Sequence, residues 1–171
     1  MGSNNSCEKS KNAICLLNSN LINGYVYFHQ CNENKSVKVF IYLEAPDLSN
    51  QTHAIHIHNY GDLRKGCQSL GAHFNPFNKT HGSRNYNMPR HAGDMINNVT
   101  FNDDGVFKYT YYDDMISLYQ NEKNILGRSI VIHKGKDDLG RGNPRDESLK
   151  TGNAGERICC GIIGLSEKFI L

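Results

Sequence analysis

Two histidines, His56 and His58, stand two residues apart within HAIHIH. On a β-strand that spacing sends both side chains from one face, while Ile55 and Ile57 point to the other. Two imidazoles side by side on a rigid strand are good ligands for copper or zinc, which both accept nitrogen donors. His133 ends GRSIVIH behind Ile130 and Ile132 and supplies a third nitrogen if its strand lies close. His73, His81, His91 and Asp94 share the stretch 59–95. Three nitrogens and one oxygen make a tetrahedral set suited to zinc, with no place left for water. A lone surface histidine is usually only a polar residue. Seven metal-compatible residues at the rim of one domain are much harder to obtain as bland surface, so the sequence points to a metal site. The spacing by itself establishes neither two metals nor which metal sits where.

Short apolar segments must position these residues. Residues 14–17 and 24–30 read as a hairpin turning through 18–23, and SVKVFIYL over 36–43 alternates Val37, Val39, Ile41 and Leu43 on one face. HAIHIH repeats that alternation. Residues 98–101 and 106–112 flank Asn-Asp-Asp-Gly, a good hairpin turn because Asp-Gly tolerates positive φ. GRSIVIH and residues 157–164 complete the strands, and 115–119 could form one short helical turn. Many short strands with turn signals predict an all-β sandwich or barrel in a single domain. The segments 59–95 and 134–155 are long for loops without a task, and the first is dense in histidine.

Bulk composition excludes several classes. A net charge of +2 without a dense Lys/Arg run argues against nucleic acid. No apolar stretch approaches the ~20 residues of a transmembrane segment. The opening residues lack a secretory apolar core, which predicts a cytoplasmic protein. Gly2 and Ser6 fit an acylation pattern, with Cys7 available for a second chain, though such a tail is more often a plain extension. The six cysteines contain no CxxC pair, and an intracellular setting favours free thiols. GAHFNP and the glycines from Gly140 to Gly155 lack the spacing of nucleotide cradles.

The segments HAIHIHNYGD, GCQSLGAHFNPFNKTHG, RHAGD, NVTFNDDG, GRSIVIH, DDLGRG and SLKTGNAGERICCGIIG resemble the motifs of copper-zinc superoxide dismutases, in family order from Ile14 to Gly164. The resemblance implies an eight-stranded Greek-key β-barrel or sandwich with a long zinc/disulfide loop and a long electrostatic loop. That domain would span 14–171, after a flexible extension over 1–13. It implies superoxide dismutation with a copper cation and a zinc ion as cofactors. His56, His58, His73 and His133 would bind copper, and His73, His81, His91 and Asp94 zinc, with His73 as the bridging imidazole. Asp137 would link a ligand ring at each metal, and Cys67 and Cys160 would form the intrasubunit disulfide. Arg157 would attract and orient superoxide, with Lys150 and Thr151 at the channel rim beside the acidic pair Asp146 and Glu147.

The resemblance further implies a homodimer, to which Ile163 and Ile125 are expected to contribute, and a copper chaperone as a candidate delivery partner. The chain departs from the familiar pattern at Arg84, Arg90 and Lys134. These cations are expected to strengthen anion attraction or to alter a chaperone or dimer surface. A rival reading is a non-catalytic, copper-sequestering member of the same wider family. The complete ligand set and the retained Arg157 weigh against it.

Overall fold

Alternating apolar residues draw the chain into strands, and the strands bury their apolar faces against one another. The computed structural model describes residues 7, 9–86 and 88–168, so Gly2 and Ser6 lie outside the described residues. The strands are β1 (Lys11–Asn18), β2 (Asn23–Gln30), β3 (Val37–Glu44), β4 (Thr52–His58), β5 (Arg64–Cys67), β6 (Asn98–Thr100), β7 (Val106–Asp113), β8 (Ser129–His133) and β9 (Arg157–Leu165). Eight of them form one antiparallel sheet in the order β6-β4-β8-β9-β1-β2-β3-β7, curled into a nearly closed barrel. Phe28, Ile41, Leu43, Ile55, Ile57, Ile130, Ile132 and Ile163 fill its interior. Fully burying a side chain of this kind contributes roughly 1.5–3 kcal/mol.

β4 and β8 matter most for the site. Ile55, Ile57, Ile130 and Ile132 point into the barrel, and the register pairs Ile55 with Ile132 and Ile57 with Ile130. His53 therefore falls on the same side as Ile55 and Ile57, whereas His56, His58 and His133 share the outer face. That face is buried as well, because the two long loops lie over it: His56 is 0% and His133 4% exposed.

Several local expectations require correction. The Asn-Asp-Asp-Gly turn forms, with Gly105 at φ 70° and its N–H donating to the Asn102 carbonyl at 3.0 Å. A Cβ at Gly105 would sit 2.5 Å from Pro46 Cα, so the position needs glycine. Its flanking strands do not pair as a hairpin, however. β6 pairs with β4 and β7 with β3, and the turn spans the seam of the barrel. Residues 115–119 are irregular, pinned by hydrogen bonds from Ser117 and Leu118 to buried Gln30. A helix lies instead in the second long loop, α1 (Arg145–Thr151). Asp146 and Glu147 sit in its first turn, Lys150 in its last, and Gly152 in αL conformation ends it. Seven residues are too few to show an apolar period. Ile163 and Ile125 are fully buried core residues and offer nothing to a partner.

Candidate metal centre

The two long loops fold back over β4 and β8, and an isolated bridge between His58 and His73 fixes the first of them. Two four-residue groups result, each with donor atoms within 4.8 Å of one another. One holds His56, His58, His73 and His133; the other holds His73, His81, His91 and Asp94. His73 belongs to both.

Hydrogen bonds determine what each ring presents. His58 Nδ1 donates to the Gly71 carbonyl at 2.9 Å and His133 Nδ1 to the Gly155 carbonyl at 3.0 Å. Carbonyls only accept, so in the neutral rings both Nε2 atoms carry lone pairs. Those atoms face each other at 3.3 Å. His56 Nε2 lies 2.7 Å from Asp137 Oδ2, and its Nδ1 is buried without a hydrogen-bond partner. Converging buried lone pairs repel unless a cation sits among them, and an all-nitrogen set open to a cleft suits copper.

The second group is built around Asp94. Its Oδ1 lies 3.1 Å from His73 Nδ1, 2.9 Å from His81 Nδ1 and 3.0 Å from His91 Nδ1. Asp94 Oδ2 accepts from the backbone N–H of Gly82 and of His91, which fixes the carboxylate. Three Nδ1 atoms and one carboxylate oxygen, all from buried residues, match a structural zinc site.

Asp137 joins the groups. It accepts from His56 Nε2 through Oδ2 and from His81 Nε2 through Oδ1, the latter at 2.9 Å. Sequence reasoning missed the residues that hold it. Asn97 Nδ2 donates to its Oδ2 at 3.0 Å, and Asn98 Oδ1 accepts from its backbone N–H at 2.8 Å. An Asn-Asn pair at the entry to a short strand signals only a turn. Gly152 leaves room for this link: a Cβ there would sit 2.3 Å from Asp137 Oδ1 and 2.6 Å from His81 Nε2. His53 was not assigned either. It is buried and donates from Nδ1 to the His133 carbonyl at 3.1 Å.

Burial sets most of the proton affinities. It pushes His73 down to about 3 and His133 to about 4, aided at His73 by the neighbouring His56, and it also lowers His56 and His58. These rings are neutral at pH 7, as ligands must be. Burial lowers His81 too, but the carboxylates of Asp137 and Asp94 outweigh it and raise His81 to about 9. Both carboxyls stay below their ordinary value because hydrogen bonds from the rings outweigh burial.

The signs give a prediction for metal-free protein. A histidine whose folded value lies below its unfolded value near 6.5 loses stability as the pH falls through 6.5 and onward to 3–4. His81 contributes the opposite way, with stability present below 6.5 and lost as the pH rises through about 9. The depressed group is the larger. Urea unfolding of the metal-free chain should therefore show a loss on the order of 2–4 kcal/mol between pH 7 and pH 5. Equal midpoints at the two pH values would contradict the assignment.

A cavity of about 660 Å³ opens onto the first group and is lined by His58, His73, Lys79, Lys150, Thr151 and Arg157, among others. Lys79, Lys150 and Arg157 outnumber the single lining anion, Glu147. Arg157 is held by two carbonyls, donating from Nη1 to Cys67 at 2.7 Å and from Nη2 to Gly71 at 2.5 Å. Cys67 is bonded to Cys160, with Cα atoms 5.8 Å apart, so the disulfide fixes the carbonyl that orients Arg157. Thr151 Oγ1 donates to Glu147 Oε1 at 2.7 Å.

The three unusual cations do not join this cavity. Arg90 is buried, with Nη2 2.9 Å from Asp113 Oδ1 on β7. Arg84 donates to the Tyr112 carbonyl at 2.9 Å and lies over the Tyr111 ring. Both fasten the first loop to β7. Lys134 pairs with Glu156 at 3.3 Å.

Known proteins resemble this chain over most of its length. The family model for copper/zinc superoxide dismutase matches residues 22–163. A Dictyostelium discoideum protein named superoxide dismutase [Cu-Zn] 5 is 45% identical over 155 residues, covering 91% of this chain and 98% of its own length. A Brugia pahangi protein named extracellular superoxide dismutase [Cu-Zn] is 42% identical, covering 92% of this chain and 78% of its own. The crystal structure of the clock protein EA4 superposes with a TM-score of 0.83 at 37% identity, over 91% of this chain and 95% of that one. The chain belongs to the copper/zinc superoxide dismutase family, oxidoreductases that dismute superoxide with copper and zinc as cofactors.

Proposed function

We propose that dismutation runs at the cavity floor, with copper held by His56, His58, His73 and His133 and zinc by His73, His81, His91 and Asp94. The observation that carries the copper assignment is the convergence of buried ring nitrogens whose other nitrogens are tied to carbonyls or a carboxylate. Zinc is assigned from the three ring Nδ1 atoms gathered around Asp94 Oδ1. When bound, copper supplies one-electron redox chemistry, and zinc, which has none, supplies fixed structural charge. Across two half-reactions one superoxide loses an electron and leaves as oxygen. The other gains an electron and two protons and leaves as hydrogen peroxide.

The chain's own groups attract, orient and protonate. Lys79 and Lys150 favour entry of the anion, more strongly at low ionic strength. Arg157, fixed by the carbonyls of Cys67 and Gly71, keeps N–H groups free to donate to the substrate. Thr151, held by Glu147, narrows the mouth. His73 has Nδ1 turned to Asp94, which leaves Nε2 for the other group. We assign Nε2 as the atom that takes up one proton and delivers it to the product.

X-ray anomalous diffraction at the copper and zinc edges tests the ligand assignment. Copper among His56, His58 and His133, with zinc beside Asp94, is the expected result; exchanged or single positions would overturn it. Asp94→Ala should lower zinc retained after dialysis and leave copper less affected, and equal zinc in variant and parent would contradict its role.

The proposal extends to assembly and location. Leu16, Tyr60 and Ile162 are 65%, 60% and 40% exposed, and Leu16 and Ile162 flank the paired Cys15 and Ile163 on the outer faces of β1 and β9. This patch supports a homodimer, to be read as twice the chain mass in sedimentation; a monomer at micromolar concentration would refute it. Because the copper group is buried, we propose delivery by a copper chaperone, and equally fast loading by free copper would contradict that. We take the domain to begin with β1 at Lys11 rather than at 14, because residues 11–13 pair with β2 and Ala13 is a core residue. A chain truncated just before Lys11 that folds and binds both metals would support that boundary, and one truncated at 14 that does so equally would contradict it. No helix among the described residues is long and apolar enough to cross a membrane. We place the protein in the cytoplasm, for cell fractionation to check.

A further inference from the structure

Outside the metal centre the molecule holds a second covalent link. Cys7 is bonded to Cys31, with Cα atoms 5.1 Å apart, inside the range a disulfide requires. Cys31 follows β2 directly and begins the 31–36 turn into β3. Cys7 precedes β1, whose Lys11 pairs with Gln30 at the same end of the ladder. Between them the arm bends back, with the Ser10 N–H donating to the Cys7 carbonyl at 3.1 Å.

Non-covalent contacts hold the arm in the same place. Tyr119 Oη donates to the Lys9 carbonyl, and the Lys11 ammonium lies 4.5 Å above the Tyr119 ring. With these contacts made, the two sulfurs remain neighbours after the bond is opened, so closure is an intramolecular event at high effective concentration.

The remaining cysteines are situated differently. Cys15 and Cys159 are free and buried, and burial pushes the Cys15 thiol up to about 12. Such thiols are inert at neutral pH. Cys67 and Cys160 are both partly covered, and the Cys67 carbonyl is engaged by Arg157. Cys7 is the exposed member of the set. Access is a main control on thiol–disulfide exchange.

We propose that Cys7 and Cys31 are a peroxide-closed, thiol-opened clasp that fastens the N-terminal arm to the turn between β2 and β3. In closing, one sulfur attacks peroxide as the thiolate, the O–O bond breaks, and the proton released by the thiol joins the departing hydroxide, so that a sulfenic acid and one water form. The second sulfur then attacks the first and displaces another water. Two thiols and one hydrogen peroxide thus give one disulfide and two waters, with sulfur oxidised and both peroxide oxygens reduced. The oxidant is the product of dismutation, so the reaction this family performs supplies what closes the clasp.

The test uses the full-length, metal-loaded chain and peroxide added from outside, which separates failure of the clasp from failure of dismutation. The protein is treated with a mild dithiol without denaturant, alkylated and peptide-mapped, and a parallel sample receives hydrogen peroxide first. The expected result is joint alkylation of Cys7 and Cys31 after reduction, while Cys67 and Cys160 stay cross-linked. Peroxide should then abolish alkylation at both and restore a Cys7–Cys31 cross-link within one chain. The proposal is overturned if Cys67–Cys160 opens first, if Cys7 stays alkylatable after peroxide, or if Cys7 bonds to a second chain.

Discussion

Asp137→Ala should lower metal affinity at both groups by roughly 10–100-fold, the usual effect of losing a partner that orients a ligand ring. The carboxylate accepts from His56 at 2.7 Å and from His81 at 2.9 Å, one ring from each metal group. It is itself fully buried and held by Asn97, Asn98 and the Leu139 N–H. Truncation leaves two ring N–H groups without an acceptor in a dry setting, and breaking such a buried charged network costs about 3–5 kcal/mol. Copper and zinc per chain after dialysis against a chelator read the result directly. Both should fall together. Loss of one metal alone would show that the link serves only one group, and retention of both would refute the coupling.

Arg157→Ala should reduce kcat/KM by about ten- to a hundredfold, the equivalent of a charge-assisted hydrogen bond worth roughly 1.5–3 kcal/mol. Both metals should remain, because the guanidinium bonds to the carbonyls of Cys67 and Gly71 and to no ligand ring. Activity of the variant should also depend less on salt, since one of the three cations lining the cavity is gone. Arg157→Lys keeps the charge but not the planar fork that spans two carbonyls, so it should fall between parent and alanine. Parent-level activity in Arg157→Ala at low salt would remove the orienting role.

These two positions also show how far the sequence reaches. The strand period of HAIHIH places His56 and His58 on one face, and the family motifs single out Asp137 and Arg157. What orients those side chains is less legible. The tautomers of His58 and His133 are set by the carbonyls of Gly71 and Gly155, and a carbonyl belongs to every residue type. Arg90 reads as a free surface cation in the chain, yet its partner Asp113 lies 23 positions away on another strand. α1 escapes notice because its seven residues carry helix-end charges but neither a side-chain N-cap nor an apolar stripe. The Cys7–Cys31 bond is hidden for a related reason. Its partners are 24 positions apart without a motif, and only the β1–β2 register brings them together.

The most direct measurement is superoxide dismutation by the purified chain carrying one copper and one zinc, with occupancy determined on the same sample. Fast turnover that disappears on chelation, returns with both metals and slows as salt is added is the predicted result. Absence of turnover with both sites filled would contradict it and leave a chain that binds the metals without using them.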